Sequence, residues 1–187
     1  MMKVFLTTTL VLAMMVFASA AFAGVEPGDK APDFTLKATD GTEHALATIL
    51  EEGNVVVLEW FNPDCPFIKK HHANHKTMDE TYAAVADQKV VWLAINSGAP
   101  GQQGAGWERN QKAHKDYEMT FPVLMDESGE VGKAYGAKTT PHMFIITPDG
   151  KVAYVGAIDD DRSAGDLGKT NYVAVAPGEV PDSKDGA

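Results

Sequence analysis

The sequence predicts an α/β domain, a central mixed β-sheet flanked by helices on both faces, and three observations carry that prediction. Residues 54–61 and 90–95 form two β-branched and aromatic runs almost free of polar breaks, the mark of strands buried on both faces. Apolar residues of helical spacing lie between them. The domain then closes on an antiparallel hairpin, 142–147 and 151–156, joined through Pro148-Asp149-Gly150. Strands that alternate with helices bury a sheet between helical layers.

The chain opens on Met1-Met2-Lys3, an uncharged apolar run over 4–22, and Ala21-Phe22-Ala23 ahead of Gly24. This is the pattern of a secretory signal peptide with a small-residue cleavage site, so 1–23 is set apart from the fold and the mature protein is expected in the periplasm. The alternative is a retained membrane anchor, since the run is about as long as a bilayer span needs at minimum. Cleavage leaves no stable membrane span. The expected domain covers 24–165, long enough for one hydrophobic core without disulfides or metal, and 166–187 reads as a polar, partly disordered tail. With 16 basic against 26 acidic residues the formal charge is −10, which excludes nucleic acid as a partner, because binding a polyanion needs a basic patch.

Along the domain, a short extended lead at 31–36 precedes a turn at Asp40-Gly41 and the first buried strand. Asn62-Pro63-Asp64 breaks that strand, and a long helix starts with Pro66 at its first position. Phe67, His71, His75, Met78, Tyr82 and Val85 are spaced to share one face of it. The second buried strand is followed by a Gly/Ala/Gln-rich loop over 97–106, a polar helix over 107–117, a short strand over 121–125 and a short helix over 130–135 ended by Gly136. Beyond Ile158 the pattern degrades into Asp159-Asp160-Asp161 and a brief apolar run at 172–176. Gly101, Gly104 and Gly106 make no phosphate loop, since no Lys-Ser/Thr follows them, and no cofactor is expected.

Cys65 is the only cysteine, so it cannot pair within the chain. It falls between a buried strand and the first turn of the expected helix, where unpaired amides and the helix dipole favour a thiolate. Lys69 and Lys70 would add positive charge and Asp64 would oppose it, for a thiol more acidic than a free one. The alternative is an inert thiol packed in the core. Glu59 interrupts an apolar strand six residues earlier; buried, it is either neutral or retained for proton transfer, and at a strand edge it faces water. Thr140-Pro141 opens the hairpin, where an X-Pro bond is either cis beside the cysteine or a plain trans start of a strand. His71 and His75, with His72 near, have the spacing of a transition-metal pair, against which packing and hydrogen bonding are the common fate of such histidines; no metal site is expected.

Three segments together resemble the exported thioredoxin-like redoxins of the alkyl hydroperoxide reductase/thiol-specific antioxidant (AhpC/TSA) group. They are Gly28-Asp29-Lys30-Ala31-Pro32-Asp33-Phe34, Glu59-Trp60-Phe61-Asn62-Pro63-Asp64-Cys65-Pro66-Phe67, and Ala134-Tyr135-Gly136-Ala137-Lys138-Thr139-Thr140-Pro141-His142, in that order over roughly residues 26 to 160. The resemblance implies a thioredoxin fold with Cys65 as the attacking cysteine, Glu59 as the family's buried acid, and Pro141 as a cis-proline packed against the sulfur, with Thr140 before it. The chain also departs from the pattern. Ile68 stands where thioredoxins carry a second cysteine, and Asn62 and Leu58 stand where typical peroxiredoxins carry Thr or Ser and Pro.

A one-cysteine peroxidase or oxidoreductase is therefore expected, with catalytic residues Cys65, Glu59, Pro141 and Thr140, a peroxide or disulfide substrate and an external thiol reductant. Two other classes stay open: a copper-binding or partner-docking module, and a degenerate redoxin that keeps the fold without turnover.

Overall fold

The computed structural model describes residues 24–174. The expected leader and the end of the tail, 175–187, lie outside them. Seven strands form one sheet: β1 (Thr35–Ala38), β2 (Glu43–Ala45), β3 (Val55–Trp60), β4 (Val90–Asn96), β5 (Val123–Met125), β6 (Met143–Ile146) and β7 (Val152–Gly156), in spatial order β2-β1-β5-β4-β3-β6-β7. β3, β4 and β5 run parallel, and antiparallel strands border them on both sides, so the sheet is mixed. The two runs that read as doubly buried strands are its centre.

Side-chain alternation divides the core in two. On one face Val57, Trp92, Ala94, Val123 and Met143 pack against α2 (Pro66–Lys69), α3 (Thr77–Val85) and α4 (Trp107–Asp116) through Ile68, Met78, Val85 and Ala113. On the other, Val56, Leu58, Trp60, Leu93 and Phe144 pack against α1 (Leu46–Glu51) and α5 (Glu130–Tyr135) through Leu46 and Tyr135. Gly136 ends α5 at φ 68°, a left-handed position that a side chain would strain.

Two features differ from the sequence reading. β2 and α1 replace what looked like a plain connection; Ala45, just ahead of α1, supplies no side-chain cap, so no local signal announces the helix. The long helix after Pro66 is not continuous. Its α-helical turn lasts four residues, a π-turn spans Lys70–Asn74, and Lys76 takes a left-handed conformation (φ 55°) before α3 starts. A π-turn advances the chain out of phase with a 3.6-residue repeat, so Lys70, His71 and His72, consecutive in sequence, are all buried, whereas His75 is not. The single stripe through His71 and His75 is thereby overturned. Beyond Ile158, residues 159–174 fold back on the domain: Asp159 bridges Asn171, Tyr172 N–H donates to the Ile158 carbonyl at 2.9 Å, and Val173 joins the core. Among the described residues no helix is long and apolar enough to cross a membrane.

Candidate active site

Cys65 caps the short helix α2 at the carboxyl end of β3. Its backbone is extended (φ −69°, ψ 130°), its N–H donates to the Asn62 carbonyl at 3.0 Å, and its carbonyl accepts from Lys69 N–H at 3.1 Å. The loop before it is pinned from α4. Arg109 donates to the Asp64 carboxylate through Nε at 3.2 Å and through Nη2, and Tyr117 Oη donates to the Pro63 carbonyl at 2.7 Å. Burial alone would lower the Arg109 pKa, but the Asp64 carboxylate beside it outweighs that and raises it. Asn62 is taken up by the same loop, accepting from Asp64 N–H at 2.9 Å and donating to the Gln103 carbonyl at 3.2 Å.

The thiol is half-buried and free, and it donates to the Thr140 carbonyl at 3.0 Å. The Thr140-Pro141 bond is cis, and both residues line a cavity of about 510 Å³ with Cys65. Phe67, His71, Ile158 and Tyr172 face the same space, which Asp159 to Arg162 line as well. Two of the charges expected beside the sulfur are engaged elsewhere: Asp64 by Arg109, and the fully buried Lys70 by Asp159 and Asp161, each at 3.4 Å. Lys69 is exposed.

Glu59 is fully buried, on the same sheet face as Val57. Its Oε1 lies 2.7 Å from His72 Nε2, and its Oε2 accepts from Trp92 Nε1 at 3.2 Å, so both oxygens are satisfied. The strand-edge alternative is thereby removed. His72 is held by Phe61 on its edge and by Tyr117, stacked at 5.9 Å between centroids.

The three neighbouring histidines part company. His72 belongs to Glu59, and His75 Nε2 sits 2.9 Å from the Gly165 carbonyl. His71 Nε2 is 3.9 Å from Asp159, and burial holds its imidazole down to a pKa of about 4 against the partial pull of that carboxylate. Among the described residues no three His, Cys, Asp or Glu side chains are grouped to hold a metal ion. The structure thus brings Cys65, Thr140 and Pro141 together, buries Glu59 in the core with His72 and Trp92, and adds Arg109, which the sequence did not single out; Lys70, His72 and Asp159, noted in the sequence for other roles, take buried polar contacts instead.

The model of the AhpC/TSA family matches residues 27–155. The thiol-disulfide oxidoreductase ResA of Geobacillus thermodenitrificans is 32% identical over 128 residues, 68% of this chain and 67% of that protein. An uncharacterized conserved protein of Geobacillus kaustophilus superimposes with a TM-score of 0.69 at 31% identity, covering 78% of this chain and 76% of that one. The thioredoxin domain of a thiol-disulfide oxidoreductase from Bacteroides vulgatus shares the fold, with a TM-score of 0.58 at 18% identity over 71% of this chain and 89% of that one.

Proposed function

This chain belongs to the AhpC/TSA family, has the thioredoxin fold and is of the oxidoreductase type, and from that premise we propose that it is a one-cysteine thiol-disulfide exchange protein acting through Cys65. The observation that carries the reading is the placement of a lone, half-buried thiol against the Thr140 carbonyl, in a cavity walled by Pro141 and apolar side chains. The Cys65 thiolate attacks one sulfur of a partner disulfide, the partner's S–S bond breaks, and its second sulfur leaves as a thiolate that takes a proton from water. Cys65 then carries a mixed disulfide. A self-contained dithiol step is closed, because Ile68 occupies the second-cysteine position and is buried in the core. An external thiol therefore resolves the mixed disulfide and restores Cys65.

Pro141 and the Thr140 carbonyl act as positioning groups that hold the sulfur at the cavity wall. Glu59, fixed by His72 and Trp92, holds the end of β3, the strand that leads into the Cys65 loop. Family membership supports a second reaction on the same thiol, in which a peroxide transfers one oxygen to Cys65, giving a sulfenic acid and an alcohol or water after uptake of a proton. The leader pattern over 1–23 supports a periplasmic setting for either reaction.

The test is intact-mass analysis after exposure to 2-hydroxyethyl disulfide and, separately, to hydrogen peroxide with a dimedone trap. The expected result is one mixed disulfide per chain, reversed by excess thiol and absent in Cys65→Ser. An adduct that persists in Cys65→Ser, or none in the unmodified protein, overturns the exchange reading; a dimedone adduct at Cys65 supports the peroxide reaction.

A further inference from the structure

The far side of the Cys65 cavity is anchored by a charge that the redox chemistry does not use. Lys70 has no exposed surface, and its ammonium lies 3.1 Å from the Ser163 carbonyl, 3.4 Å from the Asp161 carbonyl and carboxylate, and 3.4 Å from Asp159 Oδ2. Taking an ammonium out of water is costly unless oxygens surround it, and here every one of those oxygens comes from a single stretch without helix or strand. The stretch is fastened further along. Gly168 N–H donates to Asp159 at 2.9 Å, Thr170 N–H to Asp160 at 2.9 Å, and Asn171 Nδ2 to Thr81 Oγ1 of α3 at 2.7 Å. Residues 158–172 thus form a strap, and its two ends present Ile158 and Tyr172 to the cavity, which Phe67 and Pro141 line as well.

A cavity of about 510 Å³ has room for more than a sulfur and its methylene. Its walls beside the thiol are mostly hydrocarbon. Where it lines the cavity the strap also carries three aspartates, Asp159, Asp160 and Asp161, beside the single cation Arg162, and Lys70 is taken up by two of them, so a carboxylate-bearing thiol gains nothing there. The fitting occupant is a polypeptide cysteine with an apolar neighbour.

We propose that Lys70 is a specificity-determining residue, because it holds Ile158 and Tyr172 as a wall that favours disulfides carrying an apolar side chain beside the sulfur. This rests on the exchange reading of Cys65. The thiolate of Cys65 displaces one half of such a disulfide and keeps the other, whose apolar side chain enters the space between Phe67 and the strap.

The experiment compares the rate of mixed-disulfide formation from the neutral disulfide of N-acetyl-cysteinyl-phenylalanine amide with that from 2-hydroxyethyl disulfide. Each rate is divided by the same disulfide's rate with free cysteine. A preference of about tenfold for the phenylalanine compound is expected, the scale of one apolar group in a pocket. Lys70→Met should bring the ratio close to one, and Asp161→Ala, at a partly exposed position, should lower it partway. Circular dichroism checks that each variant is folded; if Lys70→Met is not, Asp161→Ala decides. An unmodified protein without preference, or a folded variant that keeps the full ratio, overturns the inference. Failure of the unmodified protein to react with either disulfide instead overturns the exchange reading beneath it.

Discussion

Lys70 and His72 sit two residues apart on one π-turn, both fully buried and both facing carboxylates, yet they hold different parts of the molecule. His72 meets Glu59 inside the sheet, where neither side chain has any exposed surface. Lys70 meets Asp159 and Asp161 on the strap, where the carboxylates are 6% and 30% exposed. A pair inside the sheet has no way to rehydrate without global unfolding, whereas a pair on a strap can regain water when the strap swings out. The first pair therefore belongs to the stability of the fold and the second to the shape of the site.

The strongest way to break this contrast is to remove Glu59. Glu59→Ala leaves the His72 ring and Trp92 Nε1 buried without their acceptor, and a loss of about 3–5 kcal/mol in unfolding free energy is expected by urea denaturation. Glu59→Gln, which keeps an oxygen for Trp92, should lose less. A cost below about 1 kcal/mol for Glu59→Ala would mean that the pair is not sealed from water.

His71, between the two, sharpens the contrast through pH. Burial depresses its folded pKa to about 4, while the unfolded chain takes up the proton near the ordinary imidazole value of 6.5. The unfolded state thus binds more protons between those values, so the contribution is fully present above pH 6.5 and is lost as pH falls toward 4, to an extent of roughly 3 kcal/mol. Denaturation midpoints between pH 7 and pH 4.5 should fall more steeply for the unmodified protein than for His71→Gln. Equal slopes would remove His71 as the source.

Lys70→Met should cost less than Glu59→Ala, about 1–3 kcal/mol, because the strap can open and hydrate Asp159. Hydrogen exchange should quicken over 159–171 and stay slow in β3 and β4; uniform acceleration would place Lys70 in the global core instead. The smallest effect is expected at the surface. Lys112 and Asp116 approach to 2.6 Å, but both are exposed, so Lys112→Ala should change stability by less than about 0.5 kcal/mol.

The same contrast explains what the sequence disclosed. The central strands were legible because their β-branched runs leave no other periodicity, and Cys65 was legible because a break after a buried strand is a local signal; the residues alone left the Thr140-Pro141 bond open between cis and trans, and only the resemblance to the AhpC/TSA redoxins set it beside the sulfur. Glu59 was legible as a charge in an apolar run. Its partner was not, because a π-turn changes the residue spacing without any marker in composition, and the regular repeat pointed to His75 instead of His72. Lys70 was read, with Lys69, as positive charge beside the thiol, since the oxygens that neutralise it lie about ninety residues away, in a stretch that looked like the fading end of a domain. Short-range chemistry was readable; contacts closed by the whole fold were not.

The most direct test of a single thiol carrying the chemistry is turnover: reduction of a disulfide by an external thiol with the protein at substoichiometric amounts, while the mass of the protein is followed. The expected result is a rate above the uncatalysed exchange of the two reagents, with Cys65 alternating between free thiol and mixed disulfide and with no acceleration by Cys65→Ser. A rate equal to the uncatalysed exchange, or an acceleration that survives in Cys65→Ser, would contradict it.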